Sequence, residues 1–464
     1  MPEQFDLMVI GGGPGGYVAA IRAAQLGFKT ALVETENLGG TCLNWGCIPT
    51  KALLRGAEIA QQLRHAGQFG FSFDNLQFDL GKLVGHSRQV ANRLSQGIAH
   101  LLKKNNIALI TGRARVSAKG ELTVEHEKNT TLYRADHIVI ATGTHAKPLP
   151  TLDVDGELIW GAREAMTPDH VPKRLLVIGA GAIGVEFASL YNDLGSEVTL
   201  VEALDRIVPV EDAEISALAR VAFSQRGIRI HTDTRVETAC VDAHGVSATL
   251  VDKIGSAQTL TFDRVIVAVG ITGNIKQLGL EQLGVATARG FIQTDEFCRT
   301  NVVGLYAVGD VAGPPWLAHK ASHEGVLCVE KIAGLPVQPL RRDTIPGCTY
   351  CRPQIASVGL TEAAATAAGH SIRVGRFNFN ANGKALAIDE AQGLVKTIFD
   401  THSGELLGAH MIGPEVTEQI QGFGIARTLE ATEAELMHTV FAHPTLSEAM
   451  HESVLDAFGR ALHH

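Results

Sequence analysis

The sequence predicts an α/β chain, because one pattern occurs twice: a short apolar strand, a glycine turn, a helix, and a second strand ending in an acid. In the first copy, residues 5–10 run into Gly11-x-Gly13-x-x-Gly16, a helical pattern continues to Leu26, and residues 30–33 end in Glu34. In the second, residues 174–178 lead to Gly179-x-Gly181-x-x-Gly184, a helix runs through Leu194, and residues 197–201 end in Glu202. Each acid stands 23 residues beyond the first glycine of its turn. From about residue 344 the pattern changes to alternating strand signals followed by helices, which adds a C-terminal α+β segment.

Each part of the repeat has a physical use. Glycines let the backbone approach a pyrophosphate, the helix N-terminus meets its charge, and the acid accepts from a ribose hydroxyl. Two copies therefore predict two Rossmann-like dinucleotide-binding domains. At the second site the Glu202 carboxylate would repel a 2′-phosphate, which favours NAD over NADP.

Composition bounds the rest. A chain of 464 residues has room for roughly three domains of ~150 residues. Glycine, 49 of 464 or about 11% against the usual ~7%, is in excess without a collagen-like period, as tight turns at phosphate sites require. The formal charge of −9 leaves no basic patch to hold nucleic acid or an anionic membrane. There is no uninterrupted apolar run of the ~18 residues that a membrane span needs. Because the first strand signal begins at residue 5, no signal or transit peptide is expected, and the chain reads as cytoplasmic or already processed. Seven cysteines, an odd number without a regular framework, read mostly as reduced thiols. Cys348 and Cys351 form a Cys-x-x-Cys pair, but the flanking residues offer no knuckle turns, so no metal is expected.

The chemistry centres on Gly39-Gly-Thr-Cys42-Leu-Asn-Trp-Gly-Cys47-Ile-Pro-Thr-Lys51, two cysteines with four residues between them where a loop turns into a helix. Pro49 pre-sets a first helical turn, and Leu53, Leu54, Ala57, Ala60 and Leu63 recur behind it at helical spacing. Cys47 then lies beside a helix N-terminus, where unpaired N–H groups favour a thiolate. Taken alone, the pair could equally be two free or structurally bridged thiols. The whole run, however, resembles the redox-active disulfide motif of the flavin-dependent disulfide reductases, and its Cys-Leu-Asn-x-Gly-Cys-Ile-Pro-x-Lys form looks closest to the dihydrolipoyl dehydrogenases. Trp45 departs from the small aliphatic residue expected there and reads as a packing variation.

That resemblance covers essentially the whole chain and carries further expectations. It implies an FAD-binding domain over 1–146, an NAD-binding domain over 147–270, a central segment over 271–343 that completes the first, and a dimerisation domain over 344–464. Ala141-Thr142-Gly143 resembles the family's crossover between nucleotide domains, and residues 300–310 resemble its second flavin fingerprint, in which Asp310 takes the ribityl chain. FAD contacts then fall on Gly11, Gly13, Gly16, Glu34, Gly40, Thr41, Lys51, Ala114, Thr142, Gly143, Asp310 and Ala318. NAD contacts fall on Gly179, Gly181, Ile183, Gly184, Glu186, Glu202, Val236 and Gly270. Lys51 is expected near the flavin ring, paired with Glu186 beside the nicotinamide. Ile271-Thr-Gly-Asn274 lacks the arginine that many relatives carry at this turn. A long helix over 80–104, with Leu83, Val90, Leu94, Ile98 and Leu101 on one side, reads as a core-packing element.

His443-Pro-Thr-Leu-Ser-Glu448 is the second chemical constellation. Pro444 biases His443 out of the helical region, and Thr445-x-x-Glu448 has the form of a capping box opening the last helix. Dithiol chemistry needs a base that titrates near neutrality and a carboxylate to hold it. The run matches the disulfide reductases' base motif, which implies His443 as base and Glu448 as its orienting acid, reaching the disulfide of the other subunit of a homodimer. The resemblance thus implies oxidation of dihydrolipoyl groups by NAD⁺ through FAD and a Cys42–Cys47 disulfide, in partnership with the lipoyl-bearing acyltransferase of a 2-oxo-acid dehydrogenase complex. A glutathione-type reductase would carry an arginine where Glu202 stands. A mercuric reductase would end in a cysteine pair, where this tail reads Ala461-Leu-His-His464.

Overall fold

The computed structural model describes residues 2–242 and 245–463, which form two compact units. The first gathers residues 1–53, 79–147 and 270–340. At its centre Glu3–Ile10 pairs in parallel with Thr30–Glu34 on one side and Asn129–Ile140 on the other. Ala108–Thr111 extends one edge and Leu305–Ala307 pairs with Asn129–Ile140, while Arg113–Ala118 and Glu121–His126 continue as an antiparallel meander. The central strand reads as one apolar run because both of its faces are covered. Met8 and Ile10 join one core with Val33, Ile138 and Ile140. Leu7 and Val9 join the opposite core with Leu32, Val139 and the alanines of helix Pro14–Gln25.

The second unit gathers residues 54–78, 148–269 and 341–464. Its parallel sheet runs Arg229–His231, Glu197–Val201, Arg174–Ile178, Arg264–Val267, Ile159–Trp160; the first four strands repeat the order of the first unit, while the fifth precedes the glycine turn in the chain. An antiparallel three-stranded sheet, Thr234–Asp242, Gly245–Asp252 and Ala257–Phe262, packs beside it. The C-terminal part is a five-stranded antiparallel sheet, and Phe377, Phe399, Met411, Phe423, Met450 and Val454 make the core between it and helices Val416–Thr428 and Glu448–Ala457. Among the described residues no helix is long and apolar enough to cross a membrane.

The helix Leu80–Lys104 has the expected ends, and Asp79 caps it by accepting from the Lys82 N–H at 3.0 Å. Its buried seam differs from expectation. Ser87, Ala91, Ile98 and Leu102 face inward, whereas Leu94 and Leu101 are each 40% exposed. Small side chains let this helix approach its neighbours closely, so the largest apolar residues do not mark the seam.

On the face of strand Leu394–Asp400 away from the helical core, Lys396 is buried at 2% side-chain exposure. Its ammonium meets Asp212 at 2.8 Å, Glu214 at 2.9 Å and Glu362 at 2.7 Å. Burial alone would lower its pKa, but these hydrogen bonds raise it above the ordinary lysine value; burial pushes Asp212 and Glu214 up, but Lys396 holds Asp212, and Arg376 with Lys396 holds Glu214, below the ordinary carboxylate values. The carboxylate contribution is present above the unfolded carboxylate pKa and fades as pH falls through the depressed folded values. The lysine contribution is lost only as pH rises through its raised value. Lys396→Met takes the cation from the buried Asp212 carboxylate, while Glu214 and Glu362 keep Arg376, and is expected to cost about 3 kcal/mol at pH 7 in urea unfolding. The deficit should shrink in acid, as Asp212 protonates.

Candidate active site and dinucleotide cradles

The two glycine turns are near copies. Gly11 and Gly179 have φ of +105° and +97°, and a β-carbon on Gly16 or Gly184 would lie 1.8 Å from the carbonyl oxygen of Gly11 or Gly179. Each helix is thereby pressed against the end of its strand. The middle glycines face open space instead: a β-carbon on Gly13 would meet only Gly40 Cα, at 3.9 Å, and one on Gly181 would meet nothing within 4 Å. Helices Pro14–Gln25 and Ala182–Leu194 have no side-chain cap and no acid in the first turn, so their leading N–H groups are left for a ligand's charge. Helices Leu80–Lys104 and Ala213–Gln225, by contrast, are capped by Asp79 and Asp212.

The acids are held alike. Glu34 accepts from the Gly12 N–H at 2.6 Å and from Thr35 and Glu36 at 2.7 and 2.8 Å. Glu202 accepts from Ala180 at 2.7 Å and Leu204 at 3.0 Å. Each carboxylate is thus pinned at its strand end beside its glycine turn. These features, an open middle glycine, an uncapped helix and a fixed acid, fit one dinucleotide in each unit.

In the first unit Asp310 is the second residue of the short 3₁₀ turn Gly309–Ala312 and accepts from Thr144 Oγ1 at 3.4 Å. Burial pushes its carboxyl up, while Lys320 nearby pulls it down. The turn is braced by a buried pair that sequence patterning did not single out. Lys320 Nζ donates to the carbonyls of Gly309 and Gly313 at 3.1 and 2.8 Å and meets Glu324 at 3.1 Å, and Glu324 accepts from the Gly309 N–H at 2.8 Å. The Lys-x-x-x-Glu spacing was the available signal. Ala318 opens helix Ala318–Ile332, which also lacks a side-chain cap, while Ala114 buries its side chain in strand Arg113–Ala118 and can offer only backbone. Thr142 Oγ1 donates to the Asn274 carbonyl at 2.8 Å, and Asn274 Nδ2 returns a bond of 2.8 Å to the Thr142 carbonyl. Asn274 thus ties the crossover where an arginine was expected.

In the second unit Ile183 is exposed at the helix start, and the buried Glu186 accepts from the Tyr350 N–H at 2.9 Å. Val236 is buried in strand Thr234–Asp242. Gly270, at the start of the first unit's last segment, has φ of +120°, and among the described residues beyond its chain neighbours nothing lies within 4 Å of where its β-carbon would be. The Cys348 thiol donates to the Thr417 carbonyl and the Cys351 thiol to that of Pro353. Among the described residues no group of three or more His, Cys, Asp or Glu side chains is placed to hold a metal ion.

The redox turn sits directly on the first cradle. Gly39 donates to the Gly12 carbonyl at 2.8 Å, and a β-carbon on Gly40 would lie 2.8 Å from Gly13 Cα. Cys42 is not in a loop, as the sequence suggested, but inside a one-turn helix, Gly40–Trp45; after a break at Gly46 the next helix, Cys47–His65, begins at Cys47 itself. The thiols are unbonded and in hydrogen-bond contact. That contact with Cys47, followed by burial, raises the Cys42 pKa, while Lys51 opposes it. Thr41 and Lys51 flank the pair on the same two helices.

His443 Nδ1 lies 2.8 Å from Glu448 Oε1, and its ring is 78% exposed. The other oxygen, Glu448 Oε2, accepts from the Thr445 N–H at 2.8 Å. Burial pushes the Glu448 carboxyl up, but the Thr445 amide and the His443 ring outweigh it and hold it below the ordinary glutamate value. The expected capping box is only half formed: helix Glu448–Ala457 begins after Ser447, and Thr445 Oγ1 donates to the Ala442 carbonyl instead. The acid therefore steadies the imidazole and closes the loop at once.

The sequence matches the pyridine nucleotide-disulphide oxidoreductase family over residues 5–325 and the dimerisation domain of that family over residues 345–454. The chain belongs to this family, whose members are flavoprotein oxidoreductases using FAD and a nicotinamide dinucleotide. It is similar at 54% identity to a dihydrolipoyl dehydrogenase of Rhizobium etli and at 53% to one of Zymomonas mobilis, with all of each chain covered. Among solved structures it resembles LpdA from Mycobacterium tuberculosis, with a TM-score of 0.90 and 28% identity over 97% of this chain and 99% of that one.

The glycines separate stability from binding. Gly184→Ala is expected to lower unfolding stability by about 3 kcal/mol through overlap with the Gly179 carbonyl. Gly181→Ala should leave the melting temperature unchanged while weakening NADH binding roughly tenfold, read by fluorescence titration.

Proposed function

We infer that the chain oxidises dihydrolipoyl groups to lipoyl groups with NAD⁺ as acceptor, as the dihydrolipoyl dehydrogenase of a 2-oxo-acid dehydrogenase complex. The observation that carries this reading is the pair of touching thiols, Cys42 and Cys47, set against the first dinucleotide cradle. The full-length similarity to enzymes of that name supports it.

In this mechanism the resting enzyme holds a Cys42–Cys47 disulfide. His443, steadied by Glu448, takes a proton from one substrate thiol; the thiolate attacks the Cys42 sulfur, forming a mixed disulfide and releasing Cys47 as a thiolate. The second substrate thiol attacks the substrate sulfur of that bond as its proton passes to the leaving Cys42 sulfur, closing the lipoyl ring and releasing Cys42 as a thiol, so two electrons now reside on the cysteine pair. FAD, when bound, supplies the two-electron carrier from this pair to NAD⁺. Gly11, Gly13, Gly16, Glu34, Gly40, Thr41, Lys51, Ala114, Thr142, Gly143, Asp310 and Ala318 would hold it, and Gly179, Gly181, Ile183, Gly184, Glu186, Glu202, Val236 and Gly270 would hold NAD⁺. In the same reading the protein is a cytoplasmic homodimer in which His443 serves the cysteines of the other subunit, and its partner is a lipoyl-bearing acyltransferase.

The test is NADH formation from dihydrolipoamide and NAD⁺ by the FAD-loaded protein, run beside glutathione disulfide and mercuric ion with NADPH. Dihydrolipoamide is expected to be turned over fastest. No NADH, or preference for either other substrate, rejects the assignment. Cys47→Ser should abolish turnover and His443→Ala should lower kcat about 100-fold or more. Mixing inactive Cys42→Ser and His443→Ala protomers should restore partial activity, and no recovery after verified subunit exchange would reject the shared site.

A further inference from the structure

Trp45, the unexpected residue between the two cysteines, is covered by Arg88 of helix Leu80–Lys104. The guanidinium lies 4.1 Å from the indole centroid, and its Nη1 donates to the Asn44 carbonyl at 2.6 Å. That carbonyl stands at the C-terminal end of the one-turn helix bearing Cys42, where a cation meets the negative end of the peptide dipoles. Asn44 is itself buried, and its side-chain amide donates to the carbonyls of Leu38 and Gly40 at 3.0 Å each. Beyond the break, Thr50 Oγ1 donates to the Gly46 carbonyl at 2.7 Å. The turn rests on the first cradle through Gly39, which donates to the Gly12 carbonyl, and through Leu43, which packs on the core; Arg88 adds a polar tie from its far end to a long helix that Ile98 and Leu102 anchor in the same core. Burial lowers the Arg88 pKa, as expected of a guanidinium packed on an aromatic face.

We propose that Arg88, through Trp45 and the Asn44 carbonyl, is a positioning residue for the redox pair: it holds the Cys42 turn so that the two sulfurs stay in contact when unbonded, and so favours closure of their disulfide. The inference rests on the reading of Cys42 and Cys47 as the redox pair. Closure converts two thiols to one S–S bond with loss of two protons and two electrons, taken up by an oxidised dithiol. A turn already holding both sulfurs loses little freedom on closing, which raises the effective concentration of one thiol at the other.

The experiment equilibrates the FAD-loaded protein anaerobically in a redox buffer of reduced and oxidised dithiothreitol, quenches it in acid, alkylates it and counts free Cys42 and Cys47 by peptide mass. Arg88→Gln is expected to lower the equilibrium constant for closure about tenfold, a shift of about 30 mV toward easier reduction. Trp45→Leu, which keeps the arginine's charge and removes its platform, should move it in the same direction, and Arg88→Lys should recover only part of the loss because it cannot stack or fork. Constants for Arg88→Gln and Trp45→Leu within twofold of the parent, or a shift toward the disulfide, overturn the proposal. If the parent itself forms no Cys42–Cys47 bond in the fully oxidised buffer, the redox-pair reading falls instead.

Discussion

A helix pressed so tightly against its own strand that no β-carbon fits between them is the constraint on which the rest of this molecule depends. At Gly16 and Gly184 that closeness brings uncapped N–H groups to the mouth of a parallel sheet. Had either residue a side chain, the helix would have to lift, and the acid at the end of the neighbouring strand would lose the loop amide it accepts from. The cradle for a negatively charged ligand is thus a consequence of backbone packing. Side chains hold the carboxylates and the turns around it.

The redox turn inherits its position from the same contact. Gly39 and Gly40 lie directly on Gly12 and Gly13, so the thiols cannot be placed independently of the first cradle. The one-turn helix that follows would be marginal as an isolated element. It persists because Asn44 satisfies two carbonyls from within and Arg88 satisfies a third from outside. Function here is built on backbone atoms whose hydrogen bonds are completed by a few buried side chains.

The repeated cradles were legible because glycine and the strand-end acid act through the backbone of their own neighbourhood, and local spacing records that. The ends of helix Leu80–Lys104 were legible for a similar reason, with Asp79 before the apolar period and Asn105 after it. Its buried seam was not, since close approach is made by Ser87 and Ala91, which no hydropathy pattern ranks highly. Arg88 on Trp45, Lys320 under the Asp310 turn, Lys396 among three carboxylates and Asn274 at the crossover were also hidden. Each joins residues distant in sequence, or buries a charge that composition assigns to the surface. The half-formed box at Thr445 shows the converse: the motif was present, but the Ala442 carbonyl claimed the hydroxyl first.

Glu448 spends one oxygen on the chain and the other on the imidazole. Opening of the first turn of the final helix would therefore part the His443 ring from its carboxylate. The placement of that ring is thus only as durable as the few hydrogen bonds with which the helix begins.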